Sequence, residues 1–324
     1  MQEQSNEKAF PIIARYAHKE DEHPDGWVFT LCAGHHGRNG YGILTKPSPY
    51  ILPEGNVQIS FSGGRTSAYM LHKILEANNG LPDRAVVTFA NTGREMPETL
   101  DFVHECSQRW DVPIVWLEYQ WAEETKDRFK VVDFDSAARN GEPFEALIHA
   151  KKYLPNPVAR FCTIEMKIKT ISRYLMSINH CKDLAEGEDM AIVGIRADEQ
   201  RRAAKMPPHR KPLVSDGVTK ETVVSFWATQ SFDLELPNVN GVTPHGNCDL
   251  CYLKGANLIE SLIVEQPSRA DWWARMEREV PASQQSGALW RNDRPSYAQM
   301  QVIAREQGQL DLAGDETIPC FCGD

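Results

Sequence analysis

Residues 60 to 67 read Ser60-Phe61-Ser62-Gly63-Gly64-Arg65-Thr66-Ser67. Two adjacent glycines can take backbone conformations with positive φ and let the main chain close on a ligand. Ser62, Thr66 and Ser67 add hydroxyl donors. A helix beginning here would point unpaired N–H groups and its positive dipole end into the turn, which favours phosphate or pyrophosphate. A serine and glycine turn ahead of an ordinary helix is the bland alternative, and a lone S-G-G-x-x-S does not separate the two.

Two further groups of residues could do chemistry. Cys248 and Cys251 form a C-x-x-C, which puts two thiols on one tight turn, a common start for a metal or cluster site. Cys162, and Cys320 or Cys322 of the C-x-C near the end of the sequence, bring the count to the four ligands that a [4Fe–4S] cluster or a structural zinc needs. The second group is basic. Arg196, Arg201, Arg202, Lys205, Arg210 and Lys211 lie within sixteen residues, against only Asp198 and Glu199. In a chain of formal net charge -10, such a concentration suggests a specific anion rather than general adhesion to nucleic acid. A solvated charged face is its plain alternative. Cys32, His35 and His36 lack a second ligand pair and do not read as a metal site.

The elements that must position these groups follow from periodicity. Val57 to Phe61 reads as a strand and Thr66 to Ala77 as a helix, stopped by Asn78-Asn79-Gly80. Ala85 to Ala90 is a buried strand by composition. Pro97 opens a helix ending near Trp110, with Cys106 on its apolar side, and Pro113 to Tyr119 is a third strand. Trp121 to Lys130, Pro143 to Lys152 and Lys167 to Ile178 read as helices, and Met190 to Ile195 as a fourth strand. Residues 203–246 read as an insertion or lid with a short helix over Val223 to Ser231. Leu258 to Val264, Arg269 to Glu279 and Ser296 to Gln307 are helices, with Trp272 and Trp273 as packing residues.

Repeated β-α-β units of this length imply an α/β fold, a parallel twisted sheet with helices on both faces. Nucleotides in such sheets bind beyond the carboxyl ends of the strands, where both Ser62-Gly63-Gly64 and Asn91-Thr92-Gly93 fall. The expected organisation is an N-terminal extension over 1–55, β-rich, a nucleotide-binding core over 56–202, an insertion with the C-x-x-C over 203–257, and a mostly helical part over 258–324.

Four ordered blocks carry a family resemblance. They are Ser62 to Ser67; Asn91-Thr92-Gly93-Arg94-Glu95 with Pro97-Glu98-Thr99; Arg160-Phe161-Cys162-Thr163 with Lys167; and Gly194 to Glu199 with Arg201 and Arg202. Together they resemble the PP-loop ATP pyrophosphatases, with their adenine nucleotide alpha hydrolase-like fold, and within them the branch of the phosphoadenylyl-sulfate (PAPS) reductases. There is no Walker-type G-x-x-x-x-G-K-[ST].

The resemblance implies an ATP or PAPS site. Its contacts would come from Ser60, Ser62, Gly63, Gly64, Arg65, Thr66 and Ser67, from Asn91, Thr92, Gly93 and Glu95, and from Gly194, Arg196, Arg201 and Arg202. Cys162, Lys167 and Arg196 would be catalytic. Glu98 is either a ribose or metal contact or a first-turn helix acid. Thr66 stands where the family's S-G-G-x-D-S has an acid, so Mg²⁺ is expected mainly on nucleotide and water. Cluster-bearing relatives favour a [4Fe–4S] cluster on Cys162, Cys248, Cys251 and Cys320 or Cys322, with zinc as the alternative.

The Glu-Cys-Gly-Ile-His segment of the PAPS reductases proper is absent. The sequence is therefore expected to resemble the DNA phosphorothioation and tRNA thiolation pyrophosphatases. These would adenylate a substrate oxygen, release pyrophosphate and let sulfur displace AMP, with a nucleic-acid or nucleotide acceptor at the basic patch and a sulfur donor protein. PAPS or adenylyl sulfate reduction is the second reading, and a nucleotide-binding partner without catalysis the third. No apolar run approaches the ~20 residues of a bilayer span, and the first residues lack a secretory pattern, so a cytoplasmic protein without membrane contact is expected.

Overall fold

The computed structural model describes residues 28–32, 41–45, 48–180, 191–280 and 288–307. Residues 1–48 and 49–324 are two compact units. In the first, β1 (Val28–Cys32) and β2 (Tyr41–Thr45) pair antiparallel, with Val28 opposite Thr45. His35, His36, Cys181, Cys320 and Cys322 lie outside the described residues.

The second unit is built on five strands: β3 (Val57–Ser60), β4 (Ala85–Asn91), β5 (Ile114–Glu118), β6 (Lys130–Val132) and β7 (Ala191–Val193). Their order is β6-β5-β4-β3-β7. β3, β4, β5 and β7 run parallel, and β6 closes one edge antiparallel to β5. Val57, Ile59, Val87 and Phe89 are buried, the near-continuous apolar pattern of a sheet covered on both faces. The chain leaves β3 towards β4 and β5 on one side and returns as β7 on the other. The carboxyl end of β3 is therefore the switch point, where such sheets open a ligand crevice.

The antiparallel edge corrects the expected helix over Trp121 to Lys130. That stretch holds only a 3-10 turn, Thr125–Asp127, before β6. Arg128 folds back over Trp121, 4.2 Å from its ring, and donates to the carbonyl of Ala122. The turn delivers Lys130 to within 2.8 Å of Glu118, whose side chain is fully buried on β5. A buried carboxylate that needs a cation outweighs local helix propensity here.

Helices α1 (Arg65–Asn78) and α2 (Pro97–Arg109) follow β3 and β4, and α3 (Glu142–Lys151) precedes the third block. The helix expected from Lys167 starts earlier, as a π-helical turn over Thr163–Ile168 that runs into α4 (Lys169–Ser177). Two short helices, α5 (Gln200–Ala203) and α6 (Pro212–Ser215), then lead to α7. α7 spans Lys220–Trp227 rather than Val223 to Ser231, because Thr219 and Thr222 form a capping box that starts it early.

α8 (Ala256–Glu265), α9 (Ala270–Glu279) and α10 (Tyr297–Gln307) complete the unit. One hydrophobic core lies around the sheet with α1, α2 and α7. A second joins α3, α8, α9 and α10 to Phe161, Met166 and Leu250 to Leu253. Trp272, Trp273 and Trp290 are buried in it. No helix among the described residues is long and apolar enough to cross a membrane.

Candidate functional site

The glycine turn sits at the switch point. Gly63 has φ +82°, and a Cβ there would meet Thr99 Cγ2 at 2.7 Å, so both backbone and packing require glycine. Gly64 is extended at φ -101° and caps α1, so the positive φ expected of both glycines belongs to Gly63 alone. Ser67 closes the turn from inside. Its hydroxyl accepts the Ser62 N–H at 3.1 Å and donates to the Gly64 carbonyl at 3.0 Å. Gly194, after β7, packs on this helix start; a Cβ there would lie 3.1 Å from Ser67 Cα. α1 begins with no side-chain cap and no acid in its first turn, which leaves its N–H groups and positive end for an anion.

A shallow cleft, open to solvent, lies over the turn. Ser62, Gly63, Gly64, Arg65 and Thr66 form its floor, Arg196 one wall, and residues of the inserted segment the other. Arg196 donates to Thr66 Oγ1 at 3.0 Å and is held by Asp198 at 3.0 Å. The fourth block thus meets the first where Thr66 replaces the family's acid. Among the described residues no carboxylate lines the cleft. Its donor set offers hard-cation ligation only through hydroxyls and carbonyls, so it does not fit a magnesium ion held by the protein.

Other expected contacts take different parts. The Arg65 guanidinium grips Asp233 through two bonds, 2.7 and 2.9 Å, and donates to Thr243 Oγ1 and to the carbonyls of Leu234 and Leu236. It clasps the inserted segment onto the glycine turn instead of adding charge for a phosphate. Ser60 bonds Gln58. Asn91 is fully buried and donates to Glu118 and to the Ala138 carbonyl while accepting the Gly93 N–H. It shapes the turn after β4 and is closed off from the cleft. Arg202 pairs with Glu199. Arg210 and Lys211 donate to the backbone carbonyls of Ala191 and Ala203. Of the six basic residues, only Arg201 and Lys205 are exposed. Most of the expected basic patch is therefore internal scaffolding.

The thiols gather beside the second block. Cys248 pairs with Glu95 in a short antiparallel bridge, and its sulfur lies 3.3 Å from Thr92 Oγ1. Glu95 is buried and accepts from both the Thr92 N–H and hydroxyl at 2.8 Å. Lys167 lies 3.9 Å from its other oxygen. Cys162 Sγ is 3.3 Å from Tyr252 Oη. Arg94 is within 3.7 Å of Asp249 and over the Trp272 ring at 5.1 Å. Burial pulls its guanidinium below its ordinary range, against the opposing pull of Asp249 and Cys248.

Among the described residues, Glu145, His149 and Glu279 alone bring three potential ligand atoms within 4.8 Å. Arg275 bridges Glu145 and Glu279 there, which makes the group an ion-pair network. Cys162, Cys248 and Cys251 are not so close.

Sequence reasoning missed Lys220, Asn238, Thr243 and Asn247 as cleft residues. All lie in or after the inserted segment, and no local pattern marks them. The Arg65–Asp233 clasp and the Trp227 indole N–H donated to the Arg65 carbonyl hold that segment over the turn.

Residues 56–214 match the phosphoadenosine phosphosulfate reductase domain. A curated relative from Escherichia phage lambda, the uncharacterized nin region protein ORF290, is 32% identical over 209 residues, covering 62% of this chain and 67% of the relative.

Proposed function

The chain belongs to the PAPS reductase-like branch of the PP-loop superfamily, and from that premise we propose that it is an ATP pyrophosphatase that activates a substrate for sulfur transfer. The observation that carries this reading is the continuity of one short segment. Thr243, Gly246 and Asn247 line the cleft, and the next residue, Cys248, touches Thr92 beside Glu95. A nucleotide on the glycine turn and a thiol are thereby held by neighbouring residues.

In the proposed reaction a substrate oxygen attacks the α-phosphorus of ATP and pyrophosphate leaves. The glycine turn and the uncapped start of α1 stabilise the departing charge. Adenylation turns a poor leaving group into AMP, which a sulfur nucleophile can displace. Cys162 and Cys248 are the thiols placed to carry that sulfur or to bind a cluster, with Lys167 beside Glu95 as the nearby proton-bearing cation. Cys162, Cys248 and Cys251 with Cys320 or Cys322 would hold a [4Fe–4S] cluster, which would supply electron transfer or sulfide. The acceptor class proposed is a nucleic acid or nucleotide, and the sulfur source a persulfide-bearing donor protein. The carboxylate-free cleft favours one second reading, reduction of PAPS or adenylyl sulfate, whose ligand needs no metal-bound triphosphate.

Anaerobic purification with iron, sulfide and zinc analysis, for the native protein and Cys248→Ser, tests the thiol assignment. About four iron per chain, lost in the variant, is the expected result. Release of pyrophosphate from ATP in the presence of nucleic acid tests the activation step, and sulfite release from PAPS without ATP consumption would replace it with the second reading.

A further inference from the structure

The cleft has three positive elements, and one of them belongs to no recognised block. The first is the start of α1 with the glycine turn. The second is Arg196, tied to Thr66. The third is Lys220, the first residue of α7, on the wall made by the inserted segment. Arg65 also lines the cleft, but its guanidinium is taken up by Asp233, the Thr243 hydroxyl and the carbonyls of Leu234 and Leu236.

Lys220 is held in place by its surroundings. A Cβ on Gly241, at φ +79°, would lie 2.3 Å from Lys220 Cγ and 2.4 Å from Cδ. Gly241 therefore leaves a groove that the lysine stem fills. The ammonium group pairs with Glu221, at 3.9 Å, and that carboxylate's side chain is 75% exposed. So exposed a pair contributes almost nothing and is readily exchanged for a ligand. Val223 and Val224, one turn along, also line the cleft, so apolar surface lies beside the lysine.

We propose that Lys220 is an anion-binding residue of this cleft, and that it selects ligands carrying two or more linked anionic groups over those carrying one. The glycine turn with α1 seats one group; Lys220, on the other wall, reaches a second. The inference deepens the nucleotide reading above and rests on it for the adenosine part of the ligand.

The test is calorimetric titration of the full-length protein with ATP, AMP and inorganic tripolyphosphate in EDTA, for the native chain, Lys220→Met, Lys220→Arg and Gly241→Ala. Loss of one charge-assisted contact should weaken ATP about tenfold or more in Lys220→Met, with AMP changed less than about threefold, well under 1 kcal/mol. Lys220→Arg should restore most of the ATP affinity, and Gly241→Ala should shift it in the same direction as Lys220→Met. Equal losses for ATP and AMP, or no loss for either, would overturn the assignment. Tripolyphosphate binding that depends on Lys220, with no binding of ATP or AMP, would keep the anion site and refute the nucleotide reading. Binding of none of the three would overturn both.

Discussion

Replacing Arg65 with lysine separates two readings of one residue. If Arg65 contacted a phosphate, lysine would keep the charge and most of the affinity. The structure assigns it instead to the clasp with Asp233, the carbonyls of Leu234 and Leu236 and the Thr243 hydroxyl. An ammonium cannot reproduce a planar fork meeting a carboxylate, and the Leu234 and Leu236 residues are buried. Leaving a buried carbonyl unpaired costs about 1–3 kcal/mol. Asp233 is 42% exposed, so water recovers part of the ion pair and it adds about 1 kcal/mol at most. Arg65→Lys should therefore lose roughly 2–4 kcal/mol in urea unfolding. Hydrogen exchange should show the loss of protection concentrated over residues 228–243, and the cleft wall carrying Lys220 should loosen with it. Asp233→Asn should act in the same direction. Tighter nucleotide binding in Asp233→Asn, with unchanged exchange over 228–243, would mean that the guanidinium had been released to a ligand and would refute the clasp.

Two further outcomes follow from local geometry. Gly63→Ala places a Cβ 2.7 Å from Thr99 Cγ2 at φ +82°, and backbone strain plus overpacking should cost about 2–4 kcal/mol, read as a lower urea midpoint together with weaker nucleotide binding; a native midpoint would contradict the described turn. Burial pushes the Glu277 carboxyl up to about 7, against the Tyr297 and Trp290 backbone N–H groups that favour its charge. Its folded value lies above the unfolded one, so the folded state holds the proton more tightly. Stability should then fall as pH rises from about 4.5 to 7, by roughly 2–3 kcal/mol at most. Glu277→Gln should flatten that slope in melts at pH 5 and pH 8, and an unchanged slope would remove Glu277 from the account.

Much of the α/β core was legible because its signals are local. The apolar runs of β3, β4 and β5, the stop at Asn78-Asn79-Gly80 and the proline opening α2 each speak for a few neighbouring residues. Edge strand β6 was not legible. Lys130 is there because Glu118, on β5, is buried and needs a cation, a demand made across the sheet. The site divides in the same way. Ser62, Gly63, Gly64, Thr66 and Arg196 line the cleft. Arg65, Asn91 and Arg202 have the residue types of ligand contacts but are claimed by Asp233, Glu118 and Glu199. Nothing in the immediate sequence of Arg65 or Asn91 announces partners 168 and 27 residues away, whereas Glu199 stands only three residues before Arg202.

The two cores carry the glycine turn and the cysteines separately yet hold them in register. The glycine turn is packed from beneath by Phe89, Thr99 and Val103 of the sheet core. Cys251 belongs to the second core, and Cys162 and Cys248 pack against it with Tyr252, Trp273 and Trp290 near by. A substitution in one core need not disturb the other, since effects of distant sites add. One link between them is the Glu95–Cys248 bridge, with the Asp249 N–H donated to the Arg94 carbonyl at 2.6 Å and Arg269 reaching both Asp249 at 3.7 Å and the Met96 sulfur at 3.1 Å. Residues 94–96 join β4 to α2, so a ligand that shifts the turn after β4 would move Cys248 with it. Coupling of this kind requires no large motion, only that one short loop be shared by the turn that follows β4 and the segment that carries the thiols.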